Sequence, residues 1–541
     1  MEKVRKKYTL FTGKQLLWLI LPIVIEQIFS TSLGFFDSLL VSNIPGNGSN
    51  VSNAVGNVDY INNLIIQLFL AFATGGAIVT SQFLGAQDRE NANKSAKQVL
   101  MLIICISLGA GVLCLALNWP ILKLLYSEVK ADVFGYMQLY FYITAASFPF
   151  IGLFNGCAAL LRAQRKSMFT MISAAISCFV NIGLDLLLIF VFKMGVVGAG
   201  LATLFCRAIP AVFLLILLGN KKNTVCVRIF EKFRFEGAMV KRILKIAIPS
   251  GIENALFQLG KLMTNTFVNV GYYAHDTAVF DAATGKYINV QANGNTIANQ
   301  INNYASVVGG GVGTSCITVI GQAVGTGDID QVKYYMKRMF LLSYIANSIC
   351  CAVILALVPV IVPLYGYIAD AKQVGINCLY FCLIFQFVTY PLSFTTPGIL
   401  KATSDVKYVM YCAIISMFVM RVGLAFLMTT DKIPGLPKLG AFGYWIGMCS
   451  DWVMRSVLFI SRLLTGKWKN ASGRLNGPAA VTAQGTTEII NGKRIYFSSY
   501  ICMNFFIFIF PVNNFRRALR RDRRRTVQPA GSVFPLSRQK S

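Results

Sequence analysis

The feature that most constrains this chain is a succession of long apolar runs separated by short charged clusters. An α-helix rises about 1.5 Å per residue, so about 20 mostly apolar residues cross roughly 30 Å of hydrocarbon. Runs of that length fall near 15–42, 57–82, 98–118, 135–160, 168–192, 196–219, 246–270, 291–322, 339–363, 374–400, 408–430 and 440–464. Several hold Gly, Pro, Asn and Gln, which suits helices lining a polar cavity better than helices facing lipid. Charged residues are only 13% of the chain and hydrophobic ones 55%. A soluble surface needs roughly a quarter of its residues charged. The expected fold is an all-α membrane protein of about twelve transmembrane helices.

The connections alternate in charge. Lys3, Arg5, Lys6 and Lys7 precede the first run, whereas the connection from Asn43 to Gly56 has no basic residue. Arg89, Lys94 and Lys97 follow the second run, and Arg162, Arg165 and Lys166 follow the fourth. The connection over 220–245 is the richest, and Lys333, Lys337, Arg338, Lys401 and Lys407 continue the alternation. Basic loops stay cytoplasmic. Both termini and the even-numbered loops are therefore expected there, with the protein multi-pass in the plasma membrane.

The two halves repeat one another. Pro22-Ile-Val-Ile-Glu26 answers Pro249-Ser-Gly-Ile-Glu253, and Ser81-Gln-Phe-Leu-Gly-Ala86 answers Gly321-Gln-Ala-Val-Gly-Thr326. Leu161-Arg-Ala163 answers Leu400-Lys-Ala402, and Asn181-Ile-Gly-Leu184 answers Arg421-Val-Gly-Leu424. The start of the second half carries about 13 extra residues, placed around Tyr272 to Asn289 with His275, Asp276 and Asp281. Parallel six-span repeats are a transporter architecture with the solute path between the halves. The expected organisation is an N-terminal six-helix lobe (1–219), a basic cytoplasmic linker (220–245), a C-terminal six-helix lobe (246–470) and an atypical tail (471–541).

Other functions are set aside on residue grounds. The net charge of +28 sits in inter-span segments, with about ten of those charges in the tail, so nucleic acid is not the expected partner. One histidine excludes a histidine metal cage, and the cysteines, scattered through apolar runs without a CxxC, read as small hydrophobes. The run after Met1–Lys7 is too long for a cleaved signal and reads as a retained span. No metalloprotease motif, nucleophile elbow or recurring filter-like loop points to a membrane-embedded enzyme or a channel.

Ionisable residues inside spans are the first functional candidates, because a central Asp costs about 2.5–3.5 kcal/mol on insertion scales. Asp37, Asp185, Glu26 and Glu253 qualify; Asp59 and Asp132 lie close to the expected span ends. Asn181 precedes Asp185 by four residues, so both project from one helical face, and Thr203 adds a hydroxyl from the next span. Such an all-oxygen set suits a hard cation such as Na⁺, or proton exchange. No other cofactor or metal is expected. Gln82, Gly85, Gln322 and Gly325 read as a structural motif fixing helix ends. Phe35, Phe36 and Phe69 offer cation–π contacts, though lipid-facing packing suits most of the 40 Phe.

The repeated motifs, with Gly34-Phe-Phe-Asp37 and Val319-Ile-Gly-Gln-Ala-Val-Gly325, make the chain from residue 8 to about 469 resemble the multidrug and toxic compound extrusion (MATE) family. The resemblance implies two six-helix lobes in a V, alternating access, and export of organic cations by a monomer, driven by entry of Na⁺ or H⁺. It also implies a cation site in the N-terminal lobe, matched here by Asp37, Asn181, Asp185 and Thr203. Some members place an acid at Glu253 with a second on the tenth span, but Leu392, Ser393, Phe394 and Thr395 supply none beside Pro391.

Two alternatives stay open. A lipid-linked oligosaccharide or polysaccharide flippase shares the architecture but calls for cavity-lining cations, of which Lys261 and Arg207 are the main cases. The tail, with an aromatic run at Tyr500–Phe510 and a basic block at Arg516–Arg525, reads either as an anchor on anionic headgroups or as sequence without a selected role. The topology is testable. Cysteines at Ser49 and within 271–290 should label from outside intact cells, while those at 90–97 and 221–236 stay protected. Labelling at 49 and 221 from the same side would overturn the span count.

Overall fold

The computed structural model describes residues 10–44, 48–126, 129, 131–227, 234–270, 278–281, 286–365, 367–429 and 439–471. The basic N-terminal residues, His275, Asp276 and the tail of 471–541 beyond Ala471 lie outside the described residues.

Twelve helical spans occupy the expected runs. The first six are α1 (Gly13–Ser42), α2 (Gly48–Gly85), α3 (Arg89–Ala116), α4 (Ala131–Ala146 continued by Phe148–Ala163), α5 (Ser167–Asp185, extended to Val191) and α6 (Gly195–Leu218). The second six are α7 (Gly237–Val270), α8 (Val290–Gly325), α9 (Ile329–Ile361), α10 (Ala369–Ala402), α11 (Val406–Thr429) and α12 (Ala441–Leu464). Among the described residues nine helices are both long and apolar enough to cross a bilayer, and the two pieces of α4 make a tenth. The other two, α7 and α12, have the length but carry Glu253, Lys261, Asp451, Arg455 and Arg462. Polar residues concentrate where helices face one another or water, so this pair signals the interior of the C-terminal half.

Local chemistry repeats between the halves. Thr12 caps α1 in a capping box with Gln15, each side chain accepting from the other's backbone N–H. Asp88 caps α3 and Asp328 caps α9 in the equivalent place. The residues just before those caps, Gln87 and Gly327, both take the left-handed conformation that ends the preceding helix, with φ of 59° and 77°. Helix α4 bends by 44° at Ser147–Pro149, where the ring of Pro149 breaks the hydrogen-bond ladder. Three spans loosen into π-helical turns, at Leu186–Val191, Pro391–Thr395 and Met417–Leu424.

The fold departs from the expectation in detail. Helix α2 begins at residue 48, nine residues before the expected start, which places Asp59 inside the span. The surplus between α7 and α8 includes an antiparallel strand pair, Ala278–Asp281 with Lys286–Asn289, the only strands among the described residues.

The halves meet where α2 crosses α8. A Cβ on Gly85 would lie 2.0 Å from the Gln322 carbonyl oxygen, and one on Gly325 would lie 2.2 Å from that of Gln82. Only glycine permits this approach. The two glutamines then reach across. Gln82 donates to the Ala402 carbonyl at 3.0 Å and to Ser404 at 3.2 Å, while Gln322 donates to the Ala163 carbonyl at 2.8 Å. Arg165 donates two hydrogen bonds to Gln322 and packs over the Phe11 ring. Both Arg165 and Ser404 are non-glycine residues at positive φ, 66° and 69°. Each such residue costs roughly 1–2 kcal/mol, so the clamp holds its two loops under strain. The connections that gather here, Arg165 and Leu10 included, are the basic ones.

Helix contact this tight has a testable consequence. Gly85→Leu should lower disulfide cross-linking between cysteines at Ala86 and Thr326, in a cysteine-free background, by about fivefold or more, since overpacking costs about 1–3 kcal/mol. Undiminished cross-linking would show that the crossing does not set the approach of the halves.

Candidate cation site in the N-terminal lobe

The repeated acids are neutralised. Glu26 on α1 accepts from Arg162 on α4 at 2.5 Å and from the Thr170 hydroxyl on α5 at 2.6 Å. Its counterpart Glu253 on α7 pairs with Lys401 on α10 at 2.9 Å. Arg162 and Lys401 are themselves repeat equivalents, so the halves share one buried ion pair in duplicate. Removing one partner of such a pair costs about 3–5 kcal/mol. Both acids therefore serve as interhelical ties. A C-terminal cation site built on Glu253 lacks its second acid and faces a lysine.

The other acids are arranged differently. Asp37 on α1, Asn181 and Asp185 on α5, and Thr203 on α6 are all buried, Asp185 completely. Asn181 and Asp185 approach Asp37 closely enough to act on its carboxylate, and Thr203 lies within hydrogen-bonding reach of Tyr140 on α4. Yet Asp37 Oδ1, both Asp185 oxygens and both Asn181 amide atoms have no hydrogen-bond partner of good geometry. Each unpaired buried polar group costs about 1–3 kcal/mol, and more if charged. Five such atoms in one place could be satisfied by a cation or proton, which makes this the candidate site of the lobe. The π-helical turn that begins at Leu186 follows Asp185 directly, a feature frequent at functional sites.

Around this cluster stand Asp59, which the expected span boundary had excluded, and Arg207, which was named among the few cavity-lining cations. Asp59 on α2, half-buried, accepts from Asn62 at 3.3 Å and from Tyr140 at 3.5 Å, and acts electrostatically on Asp37. Arg207 on α6 faces both acids and donates to Ser147 at the α4 bend at 2.8 Å. Asp37 and Asp59 thus share one guanidinium, and Asp185 adjoins Asp37. Asp59 escaped because the span was expected to begin too late; an Asp-x-x-Asn spacing on one helix face was the signal available. Of the aromatics, Phe69 is buried against Phe148, while Phe35 and Phe36 pack edge-on to each other and are partly exposed.

The C-terminal half holds a contrasting set. Arg421 on α11 and Arg455 on α12 are buried about Asp451, at 3.3 and 2.9 Å, with Lys261 of α7 beside them. The expectation that Lys261 and Arg207 were the main intramembrane cations is corrected by these two arginines. Arg421 had been visible only as a repeat match to Asn181, and its charge at that position was the missed signal. An apolar cleft of about 510 Å³ between α8, α10 and α12 includes Gln291, Phe381 and Phe442 and shares no residue with either cluster.

Two six-helix halves, joined by a close crossing and each enclosing charged groups at membrane depth, define a membrane transporter. The MatE family model matches residues 22–187 and 289–427, and the chain belongs to that family of transporters, which are not enzymes. It is 25% identical over 475 residues to the "Probable multidrug resistance protein NorM" of Thermotoga maritima, covering 84% of this chain and 93% of that protein. It is 27% identical over 255 residues to the "Multidrug export protein MepA" of Staphylococcus haemolyticus, covering 47% and 55%. The fold matches a MATE crystal structure in the straight conformation with a TM-score of 0.73 at 22% identity, over 84% of this chain and 97% of the other. A MATE transporter of the MOP superfamily in an outward-facing conformation matches at 0.72 and 21%, over 84% and 96%.

If Glu26 and Arg162 tie helices together, Arg162→Met should lower thermal stability in detergent by about 3 kcal/mol or more, the cost of a stranded buried charge. Glu26→Gln combined with Arg162→Met should recover most of that loss. Equal instability of the single and double variants would contradict a simple pair.

Proposed function

We propose that the protein exports organic cations by antiport against Na⁺ or H⁺, with Asp37, Asn181, Asp185 and Thr203 as the coupling site. The observation that carries this reading is the set of unpartnered oxygens on Asp37 and Asp185 inside an apolar lobe. Like charges about 4 Å apart repel by roughly 4 kcal/mol at an effective dielectric constant near 20. The pair therefore relaxes by taking up a proton, a Na⁺ ion or a cationic solute, and one positive charge satisfies it at a time. Competition for that place is what an exchanger requires. The membrane potential supplies about 2.3 kcal/mol per charge per 100 mV, enough to drive solute uphill. The printed names of the NorM and MepA relatives support multidrug cargo.

In this reading 1–219 and 246–470 move as two lobes about the α2–α8 crossing, and 220–245 is the linker between them. The protein works as a monomer in the plasma membrane, with both termini cytoplasmic. Its partners are small organic cations and lipid. A flippase would line the whole path with cations, whereas the cluster about Asp37 here gathers Asp59 and Asp185 with Arg207.

Substitution by Asn keeps size and hydrogen bonding but removes the titratable charge. Asp37→Asn and Asp185→Asn should each insert normally and lower ethidium efflux from proteoliposomes about tenfold or more. The double variant should be within about twofold of either single, because the pair acts as a unit. Full efflux by both single variants would remove the coupling role.

A further inference from the structure

The polarity of the two lobes is opposed at equivalent depths. Arg421 follows Asn181 by the same 240 residues that separate Gln322 from Gln82. The position that offers an amide to a cation in one lobe therefore offers a guanidinium in the other. Arg421 is only 1% exposed, its Nε has no hydrogen-bond partner of good geometry, and it sits in the π-helical turn Met417–Leu424.

Its neighbours make the excess of positive charge plain. The ring of Phe257 on α7 collects Lys261 Nζ at 5.0 Å, Arg421 Cζ at 5.2 Å and Arg455 Cζ at 4.7 Å from its centroid. Asp451 is the carboxylate the two arginines share, accepting from Arg455 Nε at 2.9 Å with Arg421 Nε at 3.3 Å. Arg455 is further fixed by donating to Ser416 at 3.0 Å and to the Ala413 carbonyl at 3.4 Å. Lys261 is different. It is exposed, and among the described residues its ammonium lies over the Phe257 ring beside two buried guanidiniums. A lysine facing hydrocarbon would be unfavourable, so this face of α7 borders water or solute.

Three cations gather on one ring while Asp451 pairs with the two arginines, so the cluster keeps positive charge that an anion would neutralise. We propose that Lys261, Arg421 and Arg455 form an oxyanion-binding site for the carboxylate or phosphate-type group of the transported solute, with Lys261 as the accessible contact. The favoured cargo is then zwitterionic, its cationic end meeting the acids of the N-terminal lobe and its anionic end this cluster. The inference rests on the efflux reading above and narrows its substrate class. Guanidinium and ammonium donors to an oxyanion are the stronger class of hydrogen bond, and Phe257 holds the cations in place without consuming their charge.

The test uses a zwitterionic rhodamine with a free carboxylate and its methyl ester, a pure cation, in proteoliposomes of phosphatidylcholine alone. Native protein should export both. Lys261→Gln should lower the ratio of zwitterion to ester export about tenfold, the effect of one charge-assisted hydrogen bond, and Lys261→Arg should keep it within about threefold of native. A ratio unchanged by Lys261→Gln, or lowered equally by Lys261→Arg, overturns the site. A Lys261→Gln effect seen only after anionic phospholipid is added would assign the cluster to a lipid headgroup and likewise overturn it as a solute site. Export of the ester without the zwitterion by native protein defeats this inference alone; export of neither defeats the efflux reading as well.

Discussion

A charge in hydrocarbon is costly unless something neutralises it, and that constraint sorts every ionisable group inside this bundle. A carboxylate or guanidinium at membrane depth persists only with a partner, a cavity or a transient ligand. Glu26 and Glu253 meet it with Arg162 and Lys401, and the cost of separating them makes those ties permanent. Asp37 and Asp185 do not meet it internally. The same physics that welds one pair of acids into the scaffold leaves the other pair in need of a mobile positive charge. Paired and unpaired acids differ here by their neighbours and not by their burial.

The repeat supplies the scaffold on which this distinction is drawn. Matching caps, matching left-handed turns and matching glutamines build each lobe alike and lock them together at Gly85 and Gly325. What the lobes enclose has diverged. One holds Asp37, Asp59 and Asp185 with Arg207 beside the first two, the other Arg421 and Arg455 about Asp451 with Lys261 beside the arginines. Identical frames with opposed interiors suit a solute path between lobes, because the field across that path orients a polar cargo. The clamp formed by Gln82, Gln322, Arg165 and Ser404 joins the halves at the end carrying the basic loops.

Much of this was legible in the sequence. Helix length, basic alternation and the 240-residue offset depend on local pattern, so the twelve spans and the two halves followed directly. Asp37, Asn181, Asp185 and Thr203 stood out as polar residues in apolar runs, and the structure buries all four and brings the first three together. Pairing across helices was not legible. Arg162 and Lys401 looked like loop cations, and only packing shows that they fold back onto Glu26 and Glu253. Arg455 lies four residues after Asp451 and could have been read as a local pair, but no helical pattern brings Arg421 and Lys261 to the same ring. Asp59 was lost to a boundary, which periodicity fixes least well.

The central claim is that one place on Asp37 and Asp185 is contested between the coupling ion and the solute. Ethidium binding to the purified protein in lipid nanodiscs, followed by fluorescence anisotropy across Na⁺ concentration and pH, addresses it directly. Linkage requires that an ion sharing the place raise the apparent Kd for ethidium, and that ethidium weaken the ion reciprocally. The account predicts a Kd that climbs in proportion to Na⁺ or H⁺ activity once that ion saturates the site. A Kd independent of both ions would contradict it.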